Sequence, residues 1–269
     1  MFAFAKRMFR DKYKSFIVYS LGAVGFVEMY IALFPAIRQQ SVQIDQMLKS
    51  FPPELFKAMN MDPSTLSFST LESYLSTEYM SFLWPILAIV FAISVANYIS
   101  ANEIDKGTIE TLISLPTSRI RIFAERYLMG LLLIVGFCVI SMLGAIPFAI
   151  LHNTSFILSN FVTAAVGSFL FIWAIYSLAV LSSVVFSEKG KASMATSGIL
   201  ILMYVINIIS SLNANLKDIR YFSFFNYFNG SELLAKNVYP DYILLAFGGF
   251  AVISTIIAAI WFNQRDLSV

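Results

Sequence analysis

The sequence predicts an all-α membrane protein with six transmembrane helices, and three observations lead there. The chain is 58% hydrophobic, with 13% charged residues and a mean hydropathy of +0.76. Soluble domains carry about a quarter charged residues. The apolar residues collect into six runs, each near the ~20 residues that cross a hydrocarbon core. Lys and Arg crowd the segments on one side of those runs. Lipid offers no partners to unpaired backbone groups, so spans of this kind are helical.

The opening residues, 1–15, mix Lys6, Arg7, Arg10, Lys12 and Lys14 with Phe2, Phe4, Phe9 and Tyr13. At 3.6 residues per turn they form a basic amphipathic helix suited to an anionic leaflet. The run over 16–36 is too long for the core of a signal peptide and reads as a retained first span. Further spans fall at 79–100, 127–151, 160–186, 193–212 and 242–262, a single transmembrane domain over 1–269. With the N-terminus inside, most of the basic residues lie on the inner side, among them Lys106, Arg119, Arg121, Arg126, Lys189, Lys191 and Arg265. The positive-inside rule then places both termini in the cytoplasm.

Two outer segments connect the spans, 37–78 and 213–241. In the first, Pro53 marks a helix start, and the stretch from Leu66 forms a second short helix running into the next span. In the second, the aromatic stretch Tyr221–Phe228 suits an interface belt, the reading preferred here, or a segment dipping back into the protein.

Several chemistries are excluded. Gly190-Lys191 precedes Ala192, with Val185 where a phosphate loop needs its first glycine, so ATP phosphates have no cradle in this chain. No serine-hydrolase elbow or paired aspartates lie within a span, and no catalytic residue or metal site is identified. A net charge of +2 argues against nucleic acid. One acid does stand inside a span. Glu28 lies about 18 Å into the first span at 1.5 Å per residue, where an ionised carboxylate costs about 3 kcal/mol or more. Asn207 is at comparable depth in the fifth span and is the candidate neighbour. Glu28 is either a protonated acid bonded across helices or a group facing the transport pathway.

The most charge-dense internal piece is 101–126, ANEIDKGTIETLISLPTSRIRIFAER. From Glu103 to Leu115 it reads as one short helix with an apolar stripe of Ile104, Thr108, Leu112 and Leu115. Asp105, Lys106 and Glu110 face away from that stripe. Pro116 ends it, and Thr117-Ser118 offers a hydroxyl cap for the next helix. The pattern fits a stiff lever between two spans, and equally a solvated loop without a partner.

This segment resembles the cytoplasmic coupling segment of ABC-2-type transporter permeases, on Glu103, Gly107, Thr108, Glu110, Leu112, Leu115, Pro116, Ser118 and Arg119. Arg126 stands where the family has a lysine. The Phe51–Ala58 loop and the Trp261–Leu267 end agree with the family, although Gln264 replaces a common arginine. The resemblance implies the ABC-2 permease fold and a permease subunit of an ATP-driven exporter in a plasma membrane, of prokaryotic type. Two permeases, identical or related, would pair with cytosolic ABC ATPase subunits, which would hold the ATP and Mg. The coupling helix would sit in a groove of the ATPase. The second and fifth spans would line the pathway, and Phe224, Phe225, Tyr227 and Phe228 would form part of an outer gate. Two other functions remain open from sequence: a gradient-driven secondary transporter using Glu28, and a membrane anchor or sensor that recruits a cytosolic partner. Aromatic and Met-rich spans with few charges lean towards an amphipathic or lipophilic cargo.

Overall fold

A computed structural model describes residues 2–58, 67–105, 107 and 116–265. The described residues form helices and turns, without a strand. The long elements are α1 (Ala3–Gln39), α4 (Leu71–Ala96), α6 (Arg119–Leu151), α7 (Leu158–Val185), α8 (Lys189–Leu212) and α10 (Leu244–Gln264). All six are long and apolar enough to cross a membrane, as the sequence predicts. Short helices α2 (Ser41–Lys49) and α3 (Pro53–Ala58) follow α1, α5 (Ala101–Asp105) follows α4, and α9 (Phe224–Tyr227) precedes α10. Pro53 opens α3, where its missing N–H costs nothing.

Helix α7 is the centre. It packs on α4, α6, α8 and α10, and 78% of its most apolar window is buried, against 22% for α1 and for α8. The reason is its small residues. Ala164, Gly167, Ser168, Ala174, Ser177 and Ser183 let neighbouring backbones approach. Two glycines are needed for such approaches. A Cβ on Gly167 would lie 2.4 Å from Leu233, and one on Gly130 of α6 would lie 2.1 Å from the Tyr176 hydroxyl.

Four boundaries differ from the sequence reading. The basic residues 1–15 are not a separate surface helix but the first turns of α1, one element of 37 residues. No glycine or proline falls between residues 3 and 21 to break it. The second span begins at Leu71, with wide, π-type turns over Ser76–Leu83. The third begins at Arg119, inside the charged segment. Its expected hydroxyl cap is not made: the Ser118 carbonyl accepts from Arg121 and Ile122, and the Ser118 side chain makes no cap bond. Finally, the helix expected over 103–115 is broken near its start, and residues 108–115 lie outside the described residues. Helix α5 ends at Asp105, and Gly107 takes φ +66, a left-handed turn suited to glycine.

Candidate functional site

The first turn of α1 and the last turn of α10 both bond to the start of α6 at one end of the bundle, and there the segment around residue 103 is anchored. Its anchor is Arg126, fully buried on α6. Its guanidinium donates to the carbonyls of Tyr98 (3.1 Å) and Ile99 (3.0 Å) and to Glu103 Oε1 (3.2 Å). Those carbonyls follow the end of α4, where helix geometry leaves acceptors without helical donors and concentrates negative charge. A planar, always-charged group that forks to several acceptors suits this position. Tyr98 lies beneath Arg126, its ring 5.1 Å from Cζ, and donates its hydroxyl to Asp11 of α1. Burial is the main reason its phenol titrates above the usual tyrosine range, with the Asp11 bond adding to it.

Glu103 is 2% exposed. Besides Arg126 it faces Arg7 of α1, 3.6 Å away. The sequence offers this acid as a contact for another protein; the fold turns it inward as the hinge between α1, α5 and α6. Neighbouring bonds tighten the same knot. Lys12 donates to the Ser94 carbonyl (2.6 Å), and Glu125 accepts the Phe4 N–H of the first α1 turn (3.1 Å) while pairing with Arg121 (3.0 Å). Ser183 of α7 accepts the Ala101 N–H (3.1 Å), and Asn97 donates to Ser193 of α8 (2.8 Å). Arg119 donates to the Arg265 carbonyl (2.7 Å), and Arg265 donates to the Val184 carbonyl and Ser187. Every long helix contributes to this platform.

Of the coupling residues read from sequence, Glu103 is internal, Gly107 and Pro116 are exposed and Arg119 is half-buried on the platform. Thr108, Glu110, Leu112 and Leu115 lie outside the described residues. Sequence reasoning missed how Arg126 is used. The signal was present, because an arginine seven residues into α6 sits where an apolar helix has already begun.

The intramembrane acid also has a different partner. Glu28 Oε1 lies 3.0 Å from His152 Nε2, at the far end of α6. Its Oε2 is buried with no hydrogen-bond partner among the described residues. Asn207 is buried on α8, where its carbonyl accepts from Ser210 and Ser211. Helix α1 packs chiefly on α6, and α8 on α7 and the turn after it, which separates the two depth-matched residues.

The aromatic stretch divides: Tyr221 and Phe222 are exposed, as in a belt, and the remainder turns inward. Phe224, Phe225 and Phe228 are buried, and Tyr227 is half-buried. Phe228 stacks on Phe171 of α7 (4.3 Å between centroids) and on Trp84 of α4 (5.7 Å). Phe225 meets Tyr204 of α8 (5.1 Å), and Phe224 meets Phe250 of α10 (4.8 Å). The segment dips into the bundle end opposite the platform. Beside Phe225, an apolar groove of about 280 Å³ runs between α4 and α8, lined by Phe82, Ile86, Ile89, Leu200 and Ile201.

The arrangement is a set of apolar spans, plugged at one end and cross-braced at the other, with a charged segment issuing from the brace. The chain was compared with known proteins. No curated protein matches it. A family model described as ABC-2 family transporter protein matches residues 3–267, a range that takes in the platform, the plug and all six long helices. The chain therefore belongs to the ABC-2 family of transporter proteins and is a multi-pass membrane transport protein of that family.

Proposed function

We propose that this chain is the membrane subunit of an ATP-driven exporter and that a separate ATP-binding subunit moves it through residues 101–126. The observation that carries the reading is the buried Arg126–Glu103 pair (3.2 Å). It ties the base of that segment to the ends of α4 and α6 and, through Arg7, to α1. A push on the segment then moves spans and is not absorbed in a slack loop. In this reading the braced end is cytoplasmic, the basic turns of α1 lie at the inner leaflet, and ATP and Mg are held by the partner. Helices α4 and α8, with the groove between them, face the pathway and a second permease, identical or related. The Phe224–Phe228 segment closes the outer end.

The test is co-expression with an ABC-type ATP-binding protein, sought first in the neighbouring reading frames. The expected result is co-purification and ATPase stimulation, both lost on Glu110→Lys. Separate elution of the two proteins, with flux that persists when ATP is depleted, refutes the reading. One observation favours a second reading. Glu28 and His152 form a titratable pair (3.0 Å) that suits a gradient-driven transporter; in that case flux collapses with a protonophore while ATP persists, and Glu28→Gln abolishes it.

A further inference from the structure

At the plugged end the segment before α10 folds around a polar cavity of about 540 Å³. Its walls come entirely from residues 220–242, the same segment whose other face carries the buried phenylalanines. Four charged side chains line it: Arg220 and Lys236 against Glu232 and Asp241. The charges cancel, so the cavity is not an anion or cation trap. It offers both signs at once. Tyrosine rings complete the walls at Tyr221, Tyr227, Tyr239 and Tyr242, and aromatic faces beside carboxylates attract ammonium groups.

Two details mark the cavity as a built site. The Arg220 guanidinium lies over the Tyr221 ring (5.1 Å) and donates to its hydroxyl (3.3 Å), yet its Nε is buried without a hydrogen-bond partner among the described residues. The contact with Tyr221 fixes the guanidinium in the cavity wall, where its Nη groups can fork to a phosphate. The rim is also strained. Tyr242 holds φ +61 and Asn237 φ +57, and for a bulky residue such as tyrosine this backbone is a genuine outlier. Asn237 is fixed by accepting from Thr163 of α7 (2.6 Å), so the rim is pinned to the central helix.

The surroundings select among zwitterions. Next to the cavity, Phe222, Tyr242, Leu244 and Leu245 are among the most exposed apolar side chains of the chain, a surface suited to acyl chains at the membrane interface. We propose that the cavity binds the headgroup of a zwitterionic phospholipid, its phosphate on Arg220 and its ammonium among the tyrosines, Glu232 and Asp241, with the acyl chains along Leu244 and Leu245. Because the same segment carries the plug, an occupied cavity braces the closed outer end. The inference depends on the chain spanning a bilayer and not on ATP coupling.

The test uses the full chain in detergent and native mass spectrometry. Titration with dioleoyl phosphatidylethanolamine is compared with soluble phosphoethanolamine, inorganic phosphate and dioleoyl phosphatidylglycerol. The expected result is retention of phosphatidylethanolamine, with tenfold weaker retention in Arg220→Gln and in Tyr242→Ala. Thermal melting confirms that both variants are folded; Arg220→Lys, which keeps the charge but not the fork, recovers part of the binding. Binding of soluble phosphoethanolamine as tight as that of the lipid refutes the acyl-chain contact and leaves a free-solute site. Equal retention of phosphatidylglycerol or phosphate, or retention unchanged in Arg220→Gln, overturns the proposal.

Discussion

Replacing Arg126 with methionine tests the brace most directly. The side chain is fully buried, and its removal takes the 3.2 Å partner from a carboxylate that is 2% exposed and the donor from two carbonyls at the end of α4. Breaking one partner of a buried ion pair costs about 3–5 kcal/mol, because the remaining charge has no compensation. Arg7 lies 3.6 Å from Glu103 but is itself half in solvent, so it offsets little of that loss, and the lower half of the range is expected. At about 2–4 °C per kcal/mol for a chain of this size, the apparent melting temperature should fall by about 6–16 °C. The assay is thermal unfolding of purified protein followed by size-exclusion fluorescence, at a fixed heating rate because membrane proteins unfold irreversibly. Glu103→Gln should cost less, since the amide still accepts from Arg126. The double variant Arg126→Met/Glu103→Leu should melt well above Arg126→Met alone, because no charge is left buried. Two results would refute the reasoning: Arg126→Met melting within about 1 °C of the parent, or strictly additive losses in the double variant.

Three further perturbations are informative. Phe228→Ala removes the ring stacked on Phe171 and Trp84 and should cost about 3–5 kcal/mol, read as lower thermal stability and as solvent accessibility of a cysteine placed at Phe171. Gly130→Ala drives a methyl into the Tyr176 hydroxyl and should cost about 1–3 kcal/mol; Tyr176→Phe in the same chain should recover part of that in a thermal melt, and no recovery would place the clash elsewhere. Glu125→Ala leaves the Phe4 N–H without its acceptor and should cost about 1 kcal/mol, as other cap removals do, with faster hydrogen exchange confined to the first turn of α1.

How much of this was written in the sequence depends on the kind of signal. The six spans were legible because hydrophobic length is a local property, readable one segment at a time. The Glu28 partner was not. Depth matching pointed to Asn207, but two residues at one depth meet only if their helices are neighbours, and helix order is a packing outcome. His152 sits beyond Leu151 in sequence, yet α1 packs on α6 and brings the two side chains to 3.0 Å. The aromatic stretch failed differently. A belt and a plug share one composition, and what separates them is whether the bundle offers partners to pack on, as Phe171 and Trp84 do for Phe228. At the coupling segment, the apolar period runs on through Gly107, where the backbone turns left-handed, and the rest of the expected helix lies outside the described residues.

The continuity of α1 has a consequence for how the molecule can rearrange. At 37 residues and 1.5 Å each it is a rod of about 55 Å. It is pinned to α6 twice, by Glu125 on Phe4 near its start and by His152 on Glu28 most of the way along. Two struts joined at separated points cannot scissor against each other, so α1 and α6 travel as one plank. Any rearrangement of the bundle therefore carries that plank as a unit relative to the central α7, on which α6 packs.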